Sequence, residues 1–250
     1  GITIECIAGA SIGAVVGAVH ACGSLKRFRE AMLGMTRREM FRLVDPVLPR
    51  SGFVKGDKLV AFLGDFIPPK VCFEDLPLPL VVVATDFSSG QRAVFSRGPV
   101  LAAVRASMSI PGVFVPVEIG GRVYVDGGAA DVLPSDLPRI LGARRVIAVG
   151  LHPPPAGSHG TVMQDERFLA VPPKGYSQAK DAPGVISLVM RSIDIMDHAT
   201  EAASVAADKP DVLILPAIQD IGTLEFDRSA EAIQAGRNAA QALSREIGRI

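Results

Sequence analysis

The sequence has no excess charge of either sign and little cysteine. Its 250 residues include 26 Lys and Arg and 26 Asp and Glu, so the formal net charge at pH 7 is zero. A nucleic-acid-binding protein needs a clustered positive excess to neutralise phosphates, and this balance argues against nucleic acid as the main partner. The three cysteines lack the spacing of a metal site, and their odd number fits a reducing compartment. We expect neither a metal nor another cofactor.

Long hydrophobic runs are also absent. No uncharged apolar run reaches the roughly 18 residues that a membrane-spanning helix requires. No basic segment followed by an apolar stretch and a cleavage site marks a signal peptide. We therefore expect a cytoplasmic protein. Segment 27–44, which mixes arginine with methionine and phenylalanine, leaves two interpretations open: peripheral contact with a membrane, or helices packed on the core.

The composition is that of a globular chain, with 48% hydrophobic and 21% charged residues. Apolar β-branched segments such as 78–86 and 144–151 alternate with segments of helical periodicity. This alternation predicts one domain over residues 1–250, an α/β fold built as a three-layer α/β/α sandwich around a central, mostly parallel sheet. The Pro-rich and Gly-rich stretch 153–183 is expected to be a mobile surface loop.

The segment "AGASIGA" near the start of the chain places Gly9, Ser11 and Gly13 in a Gly-x-Ser-x-Gly frame. A strand predicted at about 2–8 precedes it, and a helix predicted from Ile12 follows. Such a sharp turn holds a nucleophilic hydroxyl clear of its backbone, and the crowding predicts small residues at Gly9 and Gly13. The N–H of Ile12 and the helix dipole would stabilise an oxyanion. An ordinary glycine-rich turn is the alternative.

A nucleophilic serine needs a general base, and the residues alone leave two candidates. His152 ends a predicted buried strand and would complete a Ser-His-Asp triad. Asp126 closes a predicted strand in "YVDGG", where Gly127 and Gly128 permit a close backbone approach, although Asp before Gly is also typical of a capped turn. Asp86 could support the site, but a turn hydrogen bond is the favoured interpretation. Ser107 and Ser109 are interpreted as groups that cap the preceding helix or support the site.

A family resemblance favours Asp126. "IAGASIGA" resembles the nucleophile elbow of the bacterial patatin-like phospholipases, and "YVDGGAADVLP" resembles their Asp-Gly-Gly/Ala motif. Between them, "SGFVKGDKL", "VVVATDFSSGQ" and "AVRASMSIPGVFVPV" also resemble the family. The resemblance implies a patatin-like fold and a Ser-Asp dyad without a catalytic histidine, with Ser11 as nucleophile and Asp126 as base. It also implies lipid acyl esters as substrates. The rival hypotheses are a Ser-His-Asp esterase using His152 and a non-catalytic lipid-binding protein.

The resemblance further implies a Gly-rich loop with an Arg or Lys that supplies oxyanion-hole N–H groups. That loop and the strand before it would lie upstream of Gly1. We therefore expect the chain to be part of a longer protein, truncated at its N-terminal side.

Overall fold

The computed structural model describes residues 2–48, 52–152 and 183–250. The predicted mobile loop at 153–183 lies outside the described residues except for Pro183. The strands are β1 Ile7–Ala10, β2 Leu80–Asp86, β3 Arg92–Phe95, β4 Val117–Ile119, β5 Arg122–Val125, β6 Ile147–Val149 and β7 Val212–Ile214. The helices are α1 Ile12–Ala21, α2 Leu25–Leu33, α3 Arg37–Arg42, α4 Asp57–Gly64, α5 Val100–Ser107, α6 Leu137–Ile140, α7 Val185–Asp208, α8 Ser229–Ala242 and α9 Ser244–Ile247.

The strands form two sheets. The larger has the order β1-β2-β5-β4, with β3 also paired to β2, and the smaller contains β6 and β7. β1 runs parallel to β2, with Gly9 opposite Val82, and β6 runs parallel to β7. The other three described pairings are antiparallel. The predicted α/β sandwich is confirmed, but its larger sheet is mixed rather than mostly parallel, because the chain returns through hairpins beside β2.

β2 lies at the centre of the core, and all seven of its residues are buried. Its side chains alternate between two faces, as the pleat of a strand requires. Leu80 and Val82 join a cluster formed with α1, α2, α4 and α5. Val81 and Val83 join the opposite cluster, which includes Leu137 of α6. Helices therefore cover both faces of the sheet at this strand, which explains its continuous apolar sequence.

The hairpin of β4 and β5 turns at Gly120-Gly121. Both glycines have positive φ, +60° and +78°. A two-residue hairpin turn of this kind needs positive φ at both central positions, which glycine adopts without steric cost. The hairpin delivers the end of β5 to the middle of the larger sheet, where Val125 lies opposite Thr85.

Segment 27–44 folds as the end of α2 and the whole of α3. Phe28 is buried and contacts the Phe66 ring edge to face, with 5.2 Å between centroids. Arg37 donates to Asp227 at 2.8 Å. The core side of this segment is thus packed, as the second interpretation predicts. Among the described helices, none combines the length and apolar character that crossing a membrane requires.

Candidate active site

Ser11 lies at the junction of β1 and α1. Its backbone has φ +49° and ψ −122°, and only one other described non-glycine residue, Lys209, has a positive φ. Such a conformation costs on the order of 1–3 kcal/mol and persists only where the surroundings enforce it. The strained turn lets α1 start directly after the serine, as in a nucleophile elbow.

The two glycines of the elbow, Gly9 and Gly13, differ in how closely other atoms surround them. A Cβ added at Gly9 would lie 2.5 Å from the carbonyl carbon and oxygen of Gly13 and 2.7 Å from the nitrogen of Ala14. The first turn of α1 therefore requires glycine there. At Gly13 the crowding we predicted is absent, because an added Cβ would have no described atom within 4 Å. Gly13 is an exposed residue on the outer side of α1.

Asp126 follows β5, and the 3₁₀ turn Gly127–Ala129 begins beside it. The Ser11 hydroxyl donates a hydrogen bond to Asp126 Oδ2 at 2.8 Å. The N–H of Gly128 donates to the other oxygen, Oδ1, also at 2.8 Å. The same carboxylate therefore caps its own turn and faces the serine, so the two interpretations of this aspartate are compatible.

The glycine after Asp126 allows the two motifs to meet. A Cβ added at Gly127 would overlap the carbonyl oxygen of Val83 in β2 and lie 3.0 Å from the Cβ of Ala10 in β1. A larger residue would push the turn away from both strands. A further hydrogen bond joins the turn to β2, because the Thr85 hydroxyl donates to the Asp126 carbonyl at 2.8 Å.

Two buried serines at the end of α5 hold the elbow and the aspartate. The Ser107 hydroxyl accepts from the N–H of Ser11 at 2.8 Å and donates to the Val83 carbonyl at 2.6 Å. The carbonyl of Ser109 accepts from the N–H of Asp126 at 3.0 Å. Both side chains are fully buried. They are supporting groups, which was one of the two predicted roles, but their partners could not be predicted from the sequence.

The environment of Asp126 favours its protonated form. Burial raises the pKa of this carboxyl to about 7, although the hydrogen bonds from Gly128 and Ser11 act in the opposite direction. The negative charge of Asp197 adds to the rise. A carboxylate with a pKa near neutrality is a stronger base than an exposed one and is still partly ionised at pH 7.

The start of α1 offers free backbone donors. Among the described residues, no hydrogen bond uses the N–H of Ile12 or Gly13. The first N–H groups of a helix have no partner within the helix, and its dipole places partial positive charge there. Developing negative charge beside Ser11 would be stabilised at this position.

His152 lies beside two carboxylates of α7 rather than beside Ser11. Its Nδ1 is 3.2 Å from Glu201 Oε2, and its Nε2 is 3.9 Å from Asp197 Oδ2. No described hydrogen bond joins it to Ser11. Burial favours the neutral ring, but the hydrogen bond to Glu201 and the neighbouring negative charges outweigh it and raise the His152 pKa.

Asp86 forms a turn, as predicted. Its Oδ1 accepts from the N–H groups of Ser88 and Ser89 at 2.9 and 3.0 Å. Sequence reasoning missed Asp197 and Glu201. In a helix, a spacing of four residues places two carboxylates on one face, and this was the available signal. The described residues contain no cluster of His, Cys, Asp and Glu that could hold a metal ion.

Comparison with known proteins adds to this geometry. Residues 1–138, which include both Ser11 and Asp126, match the family model described as patatin-like phospholipase. An uncharacterized NTE family protein of Mycobacterium bovis is 32% identical over 303 aligned residues, covering 97% of this chain and 84% of that protein. Another, from Mycobacterium tuberculosis, is 29% identical and covers 97% of this chain and 42% of that protein. Patatin-like phospholipase domain-containing protein 7 of Mus musculus is 31% identical over 60% of this chain and 11% of its own length.

Proposed function

The chain belongs to the patatin-like phospholipase family, and from that premise we propose that it is a serine hydrolase cleaving carboxylic esters of lipids through a Ser-Asp dyad. Family membership by itself supports a lipid hydrolase in general terms. The observation that carries the finer proposal is the 2.8 Å hydrogen bond from the strained Ser11 to the buried Asp126. It joins a nucleophile and a base within proton-transfer distance.

The proposed reaction has two halves. Ser11 Oγ attacks the ester carbonyl carbon while Asp126 Oδ2 takes the hydroxyl proton. The oxyanion is stabilised by the N–H of Ile12 and the start of α1. Collapse of this intermediate breaks the ester C–O bond, and the leaving alcohol takes the proton from Asp126. Water then attacks the acyl-enzyme while Asp126 accepts a proton from it. The second intermediate collapses, the acid leaves, and Asp126 returns the proton to the Ser11 oxygen.

The fixed turn suits Asp126 to both proton transfers. Its Oδ1 stays bonded to the Gly128 N–H, so Oδ2 keeps its direction toward Ser11 without a histidine to orient it. The near-neutral pKa allows the carboxyl to accept the proton in one step and release it in the next.

The test is hydrolysis of a short acyl ester by purified variants. Ser11→Ala and Asp126→Asn are each expected to lower kcat/KM by at least about 10³-fold. Asp86→Asn is the matched control, because this aspartate ends the neighbouring strand and its carboxylate contacts its own turn and Arg122 rather than Ser11. It is expected to keep near-normal activity, and His152→Ala is expected to remain active.

Three outcomes would contradict the proposal. Near-normal activity in Asp126→Asn would remove the aspartate from the role of base. Loss in His152→Ala equal to that in Ser11→Ala would favour the Ser-His-Asp esterase. Failure of a fluorophosphonate probe to label Ser11, together with binding of a lipid ester without turnover, would favour the non-catalytic lipid-binding protein.

A further inference from the structure

A second group of titratable side chains lies beside the dyad, and the proposed reaction does not use it. It consists of His152, just after β6, and Asp197, His198 and Glu201 of α7. The His152 and His198 rings meet edge to face with 5.3 Å between centroids. Glu201 is only 3% exposed. Long side chains with charge are rarely this buried unless paired, so the group requires a physical explanation.

Asp197 approaches the dyad at Gly128. A Cβ added at Gly128 would lie 3.2 Å from Asp126 Oδ1 and 3.5 Å from Asp197 Oδ1. The two carboxylates thus flank the same small space, with only a glycine between them. Two carboxylates this close repel when both are ionised, and each favours the protonated form of the other. The absence of a side chain at Gly128 therefore allows the turn to form and also lets the charges of Asp126 and Asp197 interact.

His152 connects Asp197 to Glu201. When doubly protonated, its ring directs Nδ1–H at Glu201 and Nε2–H toward Asp197. Glu201 also accepts from the backbone N–H groups of Leu151 and His152, at 3.0 and 3.1 Å to Oε2. These bonds fix Glu201 at the end of β6, so the imidazole has a permanent partner on one side. The positive charge of protonated His152 is then available to neutralise Asp197 on the other side, and neutral His152 leaves the charge of Asp197 unbalanced.

We infer that Asp197 is a positioning residue that acts on the proposed base Asp126 through its charge, and that the protonation of His152 controls how much of that charge reaches the dyad. The inference rests on the proposed function, because it concerns the base of that reaction. With His152 cationic, Asp197 is neutralised and Asp126 ionises more easily. With His152 neutral, the charge of Asp197 opposes ionisation of Asp126 and makes it the stronger base.

The charges of several neighbouring groups act on these side chains. Burial raises the Asp197 pKa, and the charges of Asp194 and Glu201 add to the rise, whereas His152 and His198 oppose it. The groups that face Asp126 are Ser11 from the elbow, the Gly128 N–H from its own turn and Asp197 from α7. Those that face His152 are Glu201, Asp197 and Asp194, with the His198 ring alongside.

The test compares pH profiles of kcat/KM for two neighbouring substitutions. Asp197→Asn removes the repelling charge, so the acid limb is expected to move to lower pH by roughly half a unit. The alkaline plateau is expected to fall about two- to fivefold, because the base is weaker. His152→Gln removes the compensating cation, so its acid limb is expected to move to higher pH. A purely structural role would lower activity at every pH without moving the limb.

Asp208→Asn is the matched control, since Asp208 ends the same helix and its carboxylate accepts from Ser135 at 2.8 Å. Its pH profile is expected to match that of the wild type. Direct ¹³C NMR titration of the aspartate carboxyl groups, with Asp126 assigned by its loss in Asp126→Asn, gives a readout that needs no turnover. Opposite shifts of the Asp126 midpoint in the two variants support the inference even if the ester assay fails. An unmoved midpoint, or shifts in the same direction, would overturn it.

Discussion

At the scale of single residues, Asp126 shows the conflict between reactivity and stability. Its carboxyl is buried, and its pKa is raised from 3.8 to about 7. Between these two pH values the unfolded chain has released the proton while the folded protein still holds it. The folded state then binds more protons, so its stability falls as pH rises through this window. The burial that suits Asp126 to the proposed proton transfer therefore weakens the fold near neutral pH.

Asp126→Asn is expected to gain stability over the wild type as pH rises from 4 to 8. A rise in pKa from 3.8 to about 7 corresponds to a relative gain of up to about 4 kcal/mol at the alkaline end. Chemical denaturation of both proteins at several pH values measures the difference. Asp86→Asn is the control, because its carboxyl pKa is lowered by turn hydrogen bonds rather than raised. A difference between Asp126→Asn and wild type that does not vary with pH would contradict this account.

The two residues of the proposed dyad could be selected from the sequence, but the electrostatics around them could not. Ser11 and Asp126 each lie in a short motif with a local backbone requirement, and such requirements are visible as glycine spacing. The coupling of Asp126 to Asp197 depends on where α7 crosses the turn at Gly128, a contact between segments about seventy residues apart. No local pattern determines that contact.

At the scale of elements, the elbow depends on one strand end and one helix start. The sequence predicted a strand at 2–8, but β1 begins at Ile7. Ile2 and Ile4 have the β-branched pattern of a strand, yet they are 49% and 48% exposed and pair with no described strand. β1 begins where the N–H of Ile7 reaches the Pro79 carbonyl, at 2.9 Å. A partner strand, more than propensity, sets the boundary.

Gly9→Ala and Gly13→Ala form a matched pair for the elbow. The first places a Cβ 2.5 Å from backbone atoms of Gly13, so the start of α1 must move. We expect it to lose several kcal/mol of stability, on the scale of about 3 kcal/mol for core overpacking, and to lose most activity. The second places a methyl group in open space within a helix and is expected to gain roughly 0.5–1 kcal/mol.

Thermal and chemical denaturation of the two variants tests this difference. The assay of ester hydrolysis then shows whether the displaced turn also disables Ser11. Equal stability of the two alanine variants would contradict the role assigned to Gly9. A large loss of stability in Gly13→Ala would contradict the open space assigned to this position.

The closing helix illustrates the limit of periodicity. An apolar stripe of helical period runs over about 228–249, whereas the chain forms α8 and α9 with a break at Leu243. None of the residues of α8 is fully buried. Periodicity correctly predicted that this segment is helical and one-sided. It did not predict the break, because the apolar stripe continues across it.

At the scale of the whole molecule, the two sheets differ in how deeply their strands are buried. β2 is buried along its whole length, between helices on both faces. The smaller sheet has two strands of three residues each, and Val149 at the end of β6 is 50% exposed. Two-stranded sheets depend on what packs against them. Here α8 contacts β7, and Glu201 of α7 binds the chain after β6.

Hydrogen exchange is expected to separate these two parts. The amides of Val82 and Val83 are expected to exchange only through global unfolding. Those of Ala148 and Leu213 are expected to exchange at least about tenfold faster, through partial opening of the smaller sheet. Exchange measured in increasing denaturant distinguishes the two routes, because partial opening has a smaller denaturant dependence. Equal rates and equal dependence for both sheets would contradict the prediction.

The hydrogen bond between Ser11 and Asp126 spans 115 residues of chain, and β2, which must be in place for both motifs to meet, lies between them. A ribosome adds about 5–20 residues per second, so the serine is synthesised on the order of ten seconds before its aspartate. During that interval Ser11 is an ordinary alcohol. The nascent chain therefore lacks the pairing of Ser11 with Asp126, and the proposed hydrolysis of lipid esters requires the assembled fold.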